Sequence, residues 1–440
     1  MLKHQKHCCF FLLLFLFLTG CSRLSQPEEY LSLYHHGQLP AAEKVLSETI
    51  EKEIPAEDYR NSKNSTWLLL DRATTRFASG DADNAIHDYQ LAVEALDYYN
   101  QNLPIEVLGT ALLRDDTAAY QGSDFEQILA RVYFALALLQ KTDFHNALAL
   151  LKQADRLQQE KRELYSQTPF TKHYQISDHS FAKYLFGVLL EHHGDLSNAA
   201  ILYRQAEALT DLTLTETPSS DHTAVVIIIC HNGNAPRKIS EVRSSSIASA
   251  AALEILLASH GIDAAASSFT GISVPALYHF WLGSPVSTQV ALDNTQKSLI
   301  TIYNVSKAAE EELQQKLPLI AARGIARFLI RRSIVAYAQK QDPCLGMLTD
   351  IGMLIANAHT EADTRSWHML PHTIDLARYD VIPGTHDLSI QVNPPGLYPI
   401  YHNFKLCLEP HSLCVINVFN IHPGVTTIQV PPKFLIKEPL

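Results

Sequence analysis

A chain of 440 residues is longer than one hydrophobic core usually serves, so more than one structural unit is expected. Its 46 acidic against 35 basic side chains, a formal charge of −11, exclude an electrostatic nucleic-acid binder and a polybasic membrane-surface protein.

The first segment, MLKHQKHCCFFLLLFLFLTGC, places Lys3 and Lys6 before an unbroken apolar run from Phe10 to Leu18. A run that short cannot span a bilayer, but it suits the core of a secretory signal. Leu18-Thr19-Gly20-Cys21 follows and resembles the bacterial lipobox. That resemblance implies a lipoprotein signal peptide over residues 1–20, removal of that peptide, and acylation of Cys21. It also implies that Ser22, standing where an aspartate would retain the protein, directs it to the outer membrane facing the periplasm. Two or more acyl chains hold a protein on a membrane where one does not. The expected membrane contact is therefore lipid, because the processed chain is acidic.

Between residues 21 and 210 four segments share one internal pattern, a turn residue followed five positions on by Ala and nine on by a large apolar residue. They surround Gly37 and Ala42, Gly80 and Ala85, Thr142 and Ala147, and Gly194 and Ala199. Tyr89, Leu151 and Tyr203 occupy the large position, and a further Ala follows at Ala92, Ala154 and Ala206. Small residues at such offsets let antiparallel helices approach closely. The pattern resembles the tetratricopeptide repeat, including the glycine at its first-helix crossing, matched by Gly187 in KYLFGVLLEHHG. The resemblance implies a helical hairpin array that binds protein partners. Its spacing departs from the family's regular period, so inserts such as DYYNQNLPIEVLGTALLRDDTAAYQGSD are expected to interrupt the stack. Ser123-Asp124-Phe125-Glu126 reads as a helix start.

TDLTLTETPSS, from Thr210 to Ser220, has no apolar period and reads as a linker. A mixed α/β domain is expected over 221–370. Ala224 to Cys230 is a β-branched run that reads as a buried strand, IASAAALEILLASHGID reads as a helix, and Leu299 to Val305 as another strand. Lys307 to Gln339 is helical in pattern with an interruption near Pro318. Its Arg323, Arg327, Arg331 and Arg332 fall on one face, expected to pair with the acidic helical domain. From residue 371 to 440 alternating strands surround two turns, at Pro383-Gly384 and in LEPHSL, and predict a small antiparallel β-rich module built of hairpins. Cys407 and Cys414 flank the second turn, and the pattern leaves open a disulfide or two core thiols.

VVIIICHNGNAPRK sends the first strand into a polar loop containing His231, Asn232, Gly233, Pro236 and Lys238. A glycine loop after a strand is the geometry of an oxyanion site in α/β-hydrolases. That fold also needs a nucleophile in a GxSxG turn, and none occurs in the chain. The loop reads as a rigid exit turn, with Gly233 for the bend and Pro236 fixing the departure. HTEADTRSWHMLPH gathers His359, Asp363, His368 and His372 at no known zinc spacing. It reads as a structural loop in which Arg365 pairs with an acid beside Trp367. No cofactor or metal motif is present, so neither is expected.

Three elements, Asp116 to Glu126 (D-x-x-x-Y-x-G-S-D-F-E), His231 to Lys238 (H-N-G-x-A-P-x-K) and Ala362 to Pro371 (A-D-T-R-S-W-x-x-L-P), together resemble a family of bacterial envelope lipoproteins with tetratricopeptide-like repeats. Asn234 is polar where that pattern has an apolar residue. The expected protein is α+β: a helical hairpin array, a mixed α/β region and a C-terminal antiparallel β module. Its expected role is a lipid-anchored scaffold for envelope proteins rather than an enzyme. Two other readings stay open, an envelope hydrolase using the His231 loop with the Asp363 segment, and a small-ligand-binding lipoprotein.

Overall fold

The computed structural model describes residues 28–54, 64–101, 119–167, 178–210, 223–243, 272–279, 286–342 and 362–436, with isolated positions between some of these segments. Cys21 and the signal segment, the linker from 211, the helix expected at 247–263, Asp116 and His359 lie outside the described residues.

The chain is mixed α+β. Among the described residues helices come first, as four successive pairs: α1 Glu28–His35 with α2 Leu39–Glu53, α3 Ser65–Ser79 with α4 Ala82–Gln101, α5 Asp124–Gln140 with α6 Phe144–Gln167, and α7 Ser180–His192 with α8 Leu196–Thr210. Each pair reverses in the same way. Gly37, Gly80, Thr142 and Gly194 take left-handed φ values of 75°, 93°, 60° and 89°. In each turn two N–H groups return to the preceding helix, as Gly80 does to Phe77 and Asp81 to Arg76, which satisfies carbonyls the helix end would leave open. Three of the second helices also start alike: Asp81, Asp143 and Asp195 each accept from the N–H three residues on, at Asn84, Asn146 and Asn198. Neighbouring helices pack in sequence order along the array.

The strands form two main sheets and a ribbon. In the first sheet the order is β11 (Val425–Gln429), β10 (Leu413–His422), β1 (Ala224–Asn232), β7 (Thr373–Val381) and β6 (Ile300–Asn304). β1 runs parallel to β10 and antiparallel to β7. The second sheet runs β5 (Thr295–Ser298), β4 (Ser287–Leu292), β8 (Gly384–Asn393) and β9 (Ile400–Leu408). The ribbon pairs β2 (Arg237–Arg243) with β3 (Ile272–Tyr278), and α9 (Val305–Gln341) packs on β3.

The architecture is three layers, helices on sheet on sheet, and β1 lies in the middle. Val226, Ile228 and Cys230 point into the core shared with Val290, Ile390 and Leu406 of the second sheet. Ile227 and Ile229 point the other way, into a core continuous with the helices. A strand buried on both faces needs an unbroken apolar run, not an alternating one. That accounts for VVIIIC.

Several expectations are corrected. The strand runs to Asn232, so His231 and Asn232 belong to it rather than to the loop. The turns at Pro383-Gly384 and in LEPHSL do not close hairpins, because β7 and β10 pair with β1 while β8 and β9 pair with each other. Both turns carry the chain from one sheet to the other, making a sandwich. The expected boundary at residue 370 therefore falls within one sheet, where β1 is flanked on both sides by strands from beyond it. Pro318 sits inside an uninterrupted α9. A proline removes one helical hydrogen bond, and the rest of this helix continues without it. Cys407 is exposed and Cys414 buried, with both thiols free.

Candidate functional site

The singled-out loops meet at the seam between the helical layer and the first sheet. Alternation along β1 aims His231 at the helices, where it is 3% exposed. Its Nδ1 lies 2.8 Å from the Tyr133 hydroxyl and its Nε2 3.2 Å from Asn417 Oδ1. The ring stacks on Phe419 at 4.4 Å. Burial pushes its pKa down to about 4, against a smaller opposing effect of Asn417. His231 is thus a neutral core histidine. Among the described residues it meets Tyr133 and Asn417, and no bond joins it to Asp363.

The rest of the loop is zipped to its surroundings. Asn232 donates to Asp375 at 2.6 Å and accepts from Asn420 at 2.7 Å. Gly233, at φ 64°, donates its N–H to Asn420. Asn234, the departure from the expected apolar residue, donates to the Ile421 carbonyl. Ala235 N–H bonds Leu370 O, and His372 N–H returns to Asn232 O, so this loop and the 362–371 segment hold each other.

That segment is an extended strap running between helices and sheet. Two buried carboxylates from the helical layer grip its main chain. Asp71 on α3 accepts from His368 N–H at 2.8 Å and Met369 N–H at 3.2 Å, from the His368 ring at 2.8 Å, and from Tyr30 at 3.0 Å. Glu126 on α5 accepts from Trp367 N–H at 2.9 Å, Ser123 N–H at 2.6 Å and the Tyr120 hydroxyl. Trp367 is buried among Tyr89 and Tyr133, and its indole N–H donates to Thr74. Asp363 pairs in a two-pronged fork with Arg365, at 2.8 and 2.7 Å. His368 and His372 bond Asp71 and Ser306 respectively. Among the described residues no group of three or more His, Cys, Asp or Glu is arranged to hold a metal ion.

The repeat residues lie inside the array. Ala85, Ala92, Ala147, Ala199 and Ala206 are fully buried between helices, and Tyr89 and Tyr203 fill the adjoining space. A Cβ on Gly187 would come within 2.9 Å of the Tyr203 ring, which explains the glycine there. Tyr203 and Glu191 in turn hold the buried Arg378 of β7.

Beside the strap a cleft of about 380 Å³ opens between α9, the β2–β3 ribbon and the start of α5. All three family-like elements line it, through Tyr120, Ser123 and Glu126, Pro236 and Lys238, and Asp363, Arg365 and Trp367. Lys238 donates to Ser123 Oγ at 3.1 Å and lies 5.8 Å from the centre of the Tyr120 ring. Glu312 of α9 caps α5, accepting from Asp124 N–H at 2.8 Å and Phe125 N–H at 3.2 Å. Burial pushes the Asp124 carboxyl up, but Lys316 and Lys161 outweigh it and hold the group well below the usual carboxylate range.

Asp71, Tyr133 and Glu312 are absent from the motif reading, which places Glu126 only in a helix start and in the first family-like element. An aspartate inside WLLLDRATTRF was a usable signal, because a buried charge in an apolar helix demands partners. The chain matches no known family, and no curated protein matches it either.

Proposed function

We propose that the chain is a lipid-anchored bacterial envelope protein that acts as a protein-interaction scaffold, its helical layer being a tetratricopeptide-like array. One observation carries the scaffold reading. The inner side of the helices already grips an extended segment by its main-chain N–H groups, through Asp71 and Glu126. That is how a surface binds peptide with little regard for side chains. The four equivalent turns and the sequential packing support the repeat reading. The lipobox resemblance at Cys21 supports the anchor, and the three family-like elements support the envelope setting.

Because the inner side is filled by the chain's own strap and sheet, envelope partners engage the outer side. Leu196, Ile201 and Leu209 of α8 are large apolar side chains exposed there. In-cell cross-linking with mass spectrometry is expected to recover a reproducible envelope partner, lost in Ile201→Glu. Recovery of no partner, or of the same partner from the variant, overturns the scaffold reading through this surface. The anchor has its own check: Cys21→Ser should release the protein from membranes and abolish palmitate labelling. A second reading, a ligand-binding lipoprotein, is favoured by the cleft at which the three elements converge.

A further inference from the structure

We propose that this cleft binds a small amphipathic monocarboxylate, with Lys238 receiving the carboxylate and the apolar wall receiving the body. The proposal deepens the ligand-binding reading and is independent of the scaffold. Ligand pockets are concave, mostly apolar, and carry a few convergent polar groups in a volume of roughly 300–1,000 Å³. The cleft fits each condition. Its walls include Phe125, Leu277, Leu313, Ile320, Trp367 and Leu370, drawn from four separate parts of the chain.

Two polar residues that line the cleft, Ser366 and Lys238, are incompletely matched among the described residues. Ser366 is 5% exposed, and among the described residues its hydroxyl has no hydrogen-bond partner. A buried unpaired hydroxyl is costly unless something bonds it. Lys238 has a hydroxyl and an aromatic face beside it, but no carboxylate within ion-pair distance among the described residues. The other cations that line the cleft are engaged: Lys316 by Asp124 and Glu312, Arg365 by Asp363, and Arg323 of α9 by an interaction of its own. Glu126 is occupied by the three donors already described.

The donors left in the cleft select the anion. A phosphate needs several forked or main-chain donors. The N–H groups that open α5 would be the natural choice, but Glu312 and Glu126 already hold them. What remains without an acid beside it is one ammonium, Lys238, with the Ser123 hydroxyl next to it, which suits a single carboxylate. The loss of those N–H groups also removes any oxyanion site beside Ser123, so the Ser123–Lys238 contact serves binding and not acyl transfer.

Titration calorimetry on the full-length chain in detergent, against a detergent blank, tests this with 3-phenylpropionate, 3-phenylpropanol and 3-phenylpropylamine. Saturable binding of the carboxylate is expected, with the alcohol weaker and the amine absent. Lys238→Gln should weaken the carboxylate about tenfold and leave the alcohol unchanged, and Lys238→Arg should restore much of the loss. Leu277→Trp, which fills the cleft from the ribbon side, should abolish binding of both; circular dichroism checks that each variant is folded. Binding of the alcohol or amine as tight as that of the carboxylate overturns the carboxylate assignment while leaving a ligand site. Indifference of the carboxylate to Lys238→Gln overturns it too. No binding of any of the three compounds overturns the ligand-binding reading itself.

Discussion

The two faces of β1 are equally dry and differently furnished. Toward the second sheet, Val226, Ile228 and Cys230 share an apolar core with Val290, Ile390 and Leu406, crossed by two buried hydrogen bonds, from the Tyr379 hydroxyl to the Val290 carbonyl and from Asn420 to Thr288. Toward the helices, apolar packing is threaded with directional bonds: Tyr133 to His231, Asp71 and Glu126 to the strap, Arg378 to Glu191. Burial of apolar area stabilises without fixing orientation, whereas a buried hydrogen bond is satisfied in one arrangement only. The sandwich face therefore supplies cohesion, and the helix face fixes where the array sits and holds open the cleft beside it.

The strongest way to break this comparison is Asp71→Ala. It strands two strap N–H groups, a histidine ring and the Tyr30 hydroxyl at a site with no exposure. Loss of a partner from such a buried set costs about 3–5 kcal/mol. Chemical denaturation should show that loss. Limited proteolysis should cut the strap between residues 362 and 371 before the sandwich. Asp71→Asn, which keeps an acceptor, should cost less. If Asp71→Ala changes stability by under about 1 kcal/mol, the strap is held by packing and the contrast fails.

The apolar face has a matching test in Ile228→Ala, fully buried at the centre of the sandwich. The expected loss is about 2–4 kcal/mol from transfer and cavity terms. Here the strap should stay as protected as in the wild type, since no directional bond is touched. Early strap cleavage in this variant would mean that the two faces are not separable.

This contrast also explains what could be read from sequence. VVIIIC announced a buried strand, and Gly37, Gly80, Thr142 and Gly194 announced four turns, because such signals are local. Alternation in HTIDLARYDV and GTHDLSIQVN marked both segments as strands. It could not say that β7 and β8 enter different sheets, since a strand's partner is set by the whole fold. The directional face was least legible. Asp71 and His368 N–H meet across 297 residues, and the cleft assembles from segments near residues 120, 238, 316 and 365 that no local pattern connects.

The gentlest test uses acid. Buried His231 is held near a pKa of about 4, and His179, which accepts from Ala182 N–H at the start of α7, near about 3; burial is the first cause in both. An unfolded histidine titrates near 6.5. Below that value the unfolded chain takes up protons that the folded chain refuses. Stability from these groups is thus complete above about pH 6.5 and falls as the pH drops toward 4. At pH 5 His231 alone should account for a loss on the order of 2 kcal/mol. Asp375, raised by burial, opposes this at the acid end, so a variant must isolate the histidine. His231→Gln, with an amide that reaches Tyr133 or Asn417, should flatten the slope of unfolding free energy between pH 6.5 and 5 by about one proton. An unchanged slope would assign the acid sensitivity to another group and leave the helix face without a titrating member at its centre.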